Sequence, residues 1–143
     1  MAHEFHYKRM VQFVDTDMAG IIHFTNYFRY MEETEIAFYF SIGIPGQFKR
    51  GGDHSVRLPR VAASCDMVKP VTCGDWLDCH LLVRKIGGKS ITYGHVFRHE
   101  GEVVARGQIT VVCVEKDNDG GLRGVRVPDS IRDLIEEAPA EAA

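Results

Sequence analysis

Two carboxylates, Asp15 and Asp17, stand one residue apart in the segment DTDMAGIIHFTN, residues 15–26, just ahead of a stretch with helical spacing. A helix start presents backbone N–H groups without intrahelical acceptors, together with the positive end of the macrodipole. A carbonyl oxygen docked there is polarised, and the same donors stabilise the oxyanion that forms when the carbonyl carbon is attacked. A carboxylate beside that carbon can attack it or activate water. Acyl transfer is therefore the chemistry this segment could perform. The two aspartates can equally cap turns by accepting backbone hydrogen bonds, and spacing alone does not say which role holds or which aspartate would act.

The elements that must position this segment follow from hydrophobic period. Residues 5–15 are extended in character, with Phe5, Tyr7, Val11 and Phe13 at period two. A helix is predicted from about Tyr27 to Ile42, because Tyr27, Met31, Thr34 and Phe38 recur at helical spacing while Arg29, Glu32 and Glu33 point elsewhere. Thr25 or Asn26 can cap its start, Gly43 can take the left-handed position after its end, and Pro45 prevents continuation. Residues 43–59 read as a long loop holding Phe48, Lys49, Arg50 and His54. Every later segment to 114 alternates as a strand: 61–67, 77–84, 90–99 and 103–114, the last with Val103, Ala105, Ile109, Val111 and Cys113 on one face. Their short turns imply antiparallel neighbours. A short tail helix is expected after Pro128, with Ser130 as a possible cap. One apolar helix against one such sheet is an α+β layer.

Composition narrows the function classes. A chain of 143 residues is expected to form one domain with one core. With 45% apolar and 26% charged residues, it fits neither disorder nor a membrane span. The net charge of −3 gives no general attraction to nucleic acid or anionic membrane. The segment MAHEFHYKRM lacks the apolar run of a secretory signal, so a cytoplasmic location is expected. Cys65, Cys73, Cys79 and Cys113 form no C-x-x-C pair and are expected as reduced thiols. The histidines outside the 15–26 segment show no ligand spacing, so no metal is expected, and His95 is read as a satisfied, half-buried side chain. Neither a G-x-S-x-G elbow nor a P-loop occurs.

The run from Phe13 to Glu32 resembles the signature of the 4-hydroxybenzoyl-CoA thioesterase family, D-x-D-x-x-G-(I/V)-(V/I)-x-x-x-N-Y. Gly88-Lys89-Ser90 ahead of a late strand and the V-P-x-x-I tail at Val127 to Ile131 extend the likeness over most of the chain. The resemblance implies the hotdog fold, an antiparallel sheet of about five strands wrapped around one long helix. It implies hydrolysis of an acyl-CoA thioester, coenzyme A being part of the substrate and no further cofactor being needed. It assigns the catalytic carboxylate to Asp17, as nucleophile or general base, and places His23, Phe24 and Thr25 in the oxyanion region. Asn26 and Tyr27 match the N-Y of the motif. Lys89 matches a basic position used near the nucleotide, and Arg98 is a further candidate there. Related acyl-CoA thioesterases place a histidine seven residues after the aspartate, where this chain has Phe24. His23, one residue earlier, is left open between touching substrate and packing.

The resemblance also implies a homodimer or homotetramer, with sites at the interface. Two alternatives stay open at this stage: a hotdog thioesterase acting on carrier-protein thioesters, and a module that binds acyl-CoA without turning it over. A hotdog dehydratase is disfavoured, because the histidine-bearing helix region in which such enzymes resemble one another is not found here.

Overall fold

The computed structural model describes residues 1–44 and 55–142, so Pro45, Phe48, Lys49, Arg50 and His54 lie outside the described residues. Strand β1 (Glu4–Met10) is followed by a single 3₁₀ turn (Phe13–Asp15) and the long helix α1 (Thr25–Ile42). Strands β2 (Arg60–Met67), β3 (Trp76–Ile86), β4 (Ser90–His99) and β5 (Glu102–Val112) then complete one antiparallel sheet in the order β1-β3-β4-β5-β2. A small hairpin of β6 (Val114–Lys116) and β7 (Leu122–Gly124) and a short helix α2 (Asp129–Arg132) follow. The described elements share one buried hydrophobic cluster, and the α+β hotdog expectation is met.

The helix packs on one face of the sheet. Tyr27, Tyr30, Met31, Thr34, Glu35, Phe38 and Tyr39 are buried, a face broader than the period-based set, and they meet Cys79, Leu81, Tyr93, Phe97 and Ile109 from the central strands. Gly43 takes φ +86° and donates its N–H to Tyr39 O, ending the helix as its sequence position requires. Glu35 is fully buried in mid-helix. Its Oε2 lies 2.8 Å from His95 Nε2 and its Oε1 accepts from Arg60 Nε at 3.0 Å, so one carboxylate ties α1 to β4 and to the start of β2. His95 is therefore fully buried rather than half-buried, and its Nδ1 has no hydrogen-bond partner among the described residues.

Several expectations are corrected. β1 stops at Met10, and Phe13 is 82% exposed because the chain leaves the sheet for the 3₁₀ turn. Neither Thr25 nor Asn26 caps α1: the cap position is Phe24, in helical conformation, and the Asn26 side chain is engaged elsewhere. Ser130 lies inside α2, where Pro128 holds the cap position. Val104, not Val103, is buried, since a bulge between Phe97 and Arg98 shifts the β4–β5 register by one residue. The β3–β4–β5 meander is as expected, but β2 lies beside β5 on the far edge rather than beside β3. The connection 68–75 is long enough to cross the end of the sheet, and on the way Ile22 N–H donates to Val71 O at 2.8 Å. The 114–124 hairpin had no counterpart in the sequence pattern.

Gly107 sits opposite both Cys65 and His95 on the helix-facing side of β5. A Cβ there would collide with the Met31 methyl and lie 2.9 Å from Ser64 O, which is backbone and cannot yield. Gly107→Ala is therefore expected to destabilise the fold by about 1–3 kcal/mol, read as a lower urea midpoint at unchanged slope.

Candidate active site

The two aspartates have opposite environments. Asp15 closes the 3₁₀ turn and is 1% exposed. Its Oδ2 accepts from Tyr30 Oη at 2.6 Å and from Gln12 N–H at 3.0 Å, Arg29 bonds its Oδ1, and the Arg9 guanidinium lies 3.5 Å away. Burial pushes the Asp15 carboxyl up. The Tyr30 and Gln12 hydrogen bonds and the two guanidiniums outweigh it, holding the group below the usual carboxylate range. The Tyr30 phenol is driven well above its ordinary value by burial and by the carboxylate it serves. Asp15 is thus fully occupied and cannot meet a substrate.

Beyond Asp15 the backbone turns extended at Thr16, which pairs with Ile22, so residues 16–22 form a tight hairpin closed at Gly20 with φ +81°. The hairpin carries Asp17 outward to an exposed position. Asp17 Oδ1 accepts from Ala19 N–H at 2.8 Å, which fixes the side chain, while Oδ2 has no partner among the described residues.

Asp17 opens onto a cleft of about 370 Å³ whose walls are Ile21, Ile22, Phe24 and Tyr27 on one side and Met67, Val68, Lys69 and Pro70 on the other. The cleft lies at the N-terminus of α1. Phe24 N–H has no acceptor among the described residues, so a free donor sits where the segment's chemistry needs one. The backbone entering the helix is anchored from behind, because Asp15 O accepts both His23 N–H at 2.8 Å and Asn26 Nδ2 at 2.7 Å.

The structure brings Asp17, Phe24 and Tyr27 to one cleft. Phe24 is 55% exposed and stacks on His23 with ring centroids 4.9 Å apart. His23 Nδ1 lies 2.7 Å from Thr25 Oγ1, so both side chains are engaged with each other beside the helix start. Asn26 supports the turn and is turned away from the cleft. The Tyr27 hydroxyl is buried without a hydrogen-bond partner among the described residues, and burial raises its phenol far above the ordinary value. Sequence reasoning missed the wall formed by 67–70, since only the crossing of the 68–75 connection brings it alongside the hairpin. Lys69 there pairs with Glu102 at 2.6 Å and is the cation of this cleft.

Lys89 and Arg98 are not brought together. They stand at opposite ends of β4, about 30 Å apart at the rise of an extended strand. Lys89 packs its stem near Gly124. Arg98 lines a separate cleft of about 480 Å³ with Lys8, Trp76 and Asp78 and donates to His80 Nδ1 at 3.1 Å. All four cysteines are free. Burial pushes the Cys79 thiol up to about 12 and Cys65 up to about 11, so neither is a nucleophile at neutral pH.

A five-stranded antiparallel sheet with one long helix packed on its face is the hotdog arrangement. The sequence profile of the thioesterase-like superfamily matches residues 11–135, and the chain belongs to that superfamily. It is a thioesterase. The 1,4-dihydroxy-2-naphthoyl-CoA hydrolase of Nostoc punctiforme is 33% identical over 137 residues, covering 92% of this chain and 86% of the relative. A solved gentisyl-coenzyme A thioesterase is 28% identical at a TM-score of 0.79, covering 91% of this chain and 98% of the other. The 4-hydroxybenzoyl CoA thioesterase of Pseudomonas sp. strain CBS-3 shares the fold at a TM-score of 0.83, with 22% identity and coverage of 93% and 99%. The resemblance read from Phe13 to Glu32 is borne out. No helix among the described residues is long and apolar enough to cross a membrane.

Asp15→Asn is expected to cost about 2–3 kcal/mol of stability, because it removes the charge that Arg9, Arg29 and Tyr30 share. The sign with pH follows from its lowered value: the stabilisation is present above about pH 4, the unfolded carboxylate range, and disappears as pH falls through the folded value. Thermal midpoints of wild type and Asp15→Asn should therefore differ at pH 7 and converge toward pH 2.

Proposed function

We propose that the protein hydrolyses an acyl-coenzyme A thioester to a carboxylic acid and free coenzyme A at the cleft between Asp17 and the N-terminus of α1. One observation carries this reading: among the described residues Asp17 has an oxygen without a partner, at a cleft where the Phe24 N–H also lacks an acceptor. The thioester oxygen docks on Phe24 N–H and the helix dipole, which polarise it. Asp17 then either draws a proton from water attacking the carbonyl carbon or attacks that carbon itself, giving a mixed anhydride that water opens. In both routes the carbon–sulfur bond breaks and coenzyme A leaves as thiolate, taking a proton from solvent. His23 holds Thr25 and the exposed Phe24 ring at the mouth.

The acyl group we assign is aromatic. The walls present Phe24 and Tyr27 with Ile22 and Met67, and relatives at 28–33% identity are named for hydroxylated aromatic acyl-CoA substrates. We further infer that a second copy completes the unit at the free edge of β2. Among the described residues that strand pairs only with β5 and leaves Val61 and Met67 59% and 51% exposed, beside the cleft wall. The site would be cytoplasmic and draw on no other cofactor.

Asp17→Asn should lower kcat at least 10²–10³-fold against a benzoyl-CoA substrate, while substrate affinity and thermal midpoint stay near wild type. Retained turnover sinks the assignment. A single turnover in ¹⁸O water separates the routes, since label enters Asp17 only if it is the nucleophile. Light scattering should give two or four times the chain mass of 16.1 kDa, and a monomer active at the same concentration rules out the shared unit.

A further inference from the structure

On the sheet face opposite α1, the first third of β1 and the middle of β3 bring three ligating side chains together. His6 and His80 are direct cross-strand partners, and Glu4 precedes His6 by two residues, on the same face. Phe5 and Tyr7, which alternate with them, turn toward the helix, where Phe5 meets the Phe38 ring and Tyr7 Oη donates to Glu33. The imidazoles of His6 and His80 stack with centroids 4.0 Å apart and planes 14° apart. Glu4 Oε1 is 2.7 Å from His80 Nε2 and 3.6 Å from His6 Nε2, and the three donor atoms lie within 4.8 Å of one another.

The protons on these rings leave the cluster incomplete. Asp78 accepts from His6 Nδ1, with its oxygens at 3.0 and 3.1 Å. In the neutral ring this puts the lone pair on Nε2, which faces the Glu4 carboxylate at 3.6 Å, beyond hydrogen-bond distance. Two electron-rich atoms thus converge with nothing positive between them. A carboxylate behind one imidazole nitrogen, with the other nitrogen pointing at a shared centre, is the outer support that metal-ligating histidines use.

We propose that Glu4, His6 and His80 form a binding site for one zinc-class divalent ion that braces β1 against β3, apart from the thioesterase cleft. Two imidazoles and a carboxylate suit a late first-row ion such as Zn²⁺ rather than Mg²⁺ or Ca²⁺, with water in the fourth position. Tetrahedral zinc needs donors about 3.3 Å apart, and rotation of the exposed Glu4 and His6 side chains brings the observed spacings to that value. Arg98 opposes this step. It donates to His80 Nδ1, so His80 carries its proton on Nε2, and that proton must leave Nε2 for the ion to bind. In the metal-bound ring the proton sits on Nδ1, and Arg98 must turn away, toward Asp78 Oδ2 at 3.9 Å. The competing occupant is a simple proton, with a histidinium at His6 bridging Asp78 and Glu4.

The test is calorimetric titration of the chelator-stripped full chain, without an affinity tag, with ZnCl₂. Expected are one Zn²⁺ per chain with a micromolar Kd, at least tenfold weakening in His6→Ala and Glu4→Gln, and about tenfold tightening in Arg98→Gln, whose amide oxygen accepts from His80 Nδ1–H. Cu²⁺ in the same site should show hyperfine coupling to two imidazole nitrogens, reduced to one in His6→Ala. Thioester turnover of His6→Ala should match wild type. Absence of saturable binding up to 1 mM Zn²⁺, or His6→Ala binding as tightly as wild type, overturns the site and leaves the histidinium bridge as the explanation. His6→Ala and Glu4→Gln alter exposed side chains, and unchanged thioester turnover of His6→Ala reports that its fold is intact.

Discussion

The buried carboxylate of Asp15 is the contact on which the active end of the molecule depends. It gathers Tyr30 and Arg29 from α1, Arg9 from β1 and the Gln12 amide from the turn, while its own backbone carbonyl accepts His23 N–H and the Asn26 amide. One residue thereby fixes the end of the first strand, the following hairpin and the first turn of the helix relative to one another. A buried carboxylate is tolerated only when its charge is answered by hydrogen bonds and cations, and here every one of them comes from an element that must be held in place. The order obtained is what the carboxylate proposed for catalysis, two residues away, would require, since acyl transfer is sensitive to ångström-scale misplacement.

A division of labour between near neighbours follows. Asp15 spends its lone pairs on structure and Asp17 keeps one oxygen free. The change from 3₁₀ to extended backbone at Thr16 separates them, so that side chains of identical chemistry end in a dry cluster and an open cleft. The Glu35–His95–Arg60 set performs a similar tying function at mid-helix, but among the described residues His95 Nδ1 and the Tyr27 hydroxyl have no partner. Both flank Phe97, with ring centroids 6.4 and 5.0 Å from it. Tyr27 also lines the cleft, so the interior and the cleft share a side chain.

The architecture was largely legible because it rests on period and punctuation. The alternation of 77–83 and 90–99, the helical spacing from Tyr27 to Phe38 and the Gly43 stop depend on residues near one another in the chain. The failures have a common cause. The strand order, the bulge that buries Val104 in place of Val103, and the burial of His95 are set by partners far away in sequence. No local pattern placed β2 beside β5, because a connection of eight residues permits either a neighbour or a crossover.

For the site the same boundary holds. The sequence by itself determined that a carboxylate pair precedes a helix start and, through the motif from Phe13 to Glu32, that Asp17 is the one to consider. These are properties of a contiguous segment. Only the tertiary structure decided why Asp15 is excluded, since Tyr30, Arg9 and Arg29 must fold onto it. It alone supplied the 67–70 wall with Lys69, and it alone separated Lys89 from Arg98 along the length of β4. The Glu4–His6–His80 cluster belongs to this second kind as well. His6 and His80 are 74 residues apart in the chain, and the β1–β3 register is what sets them opposite each other.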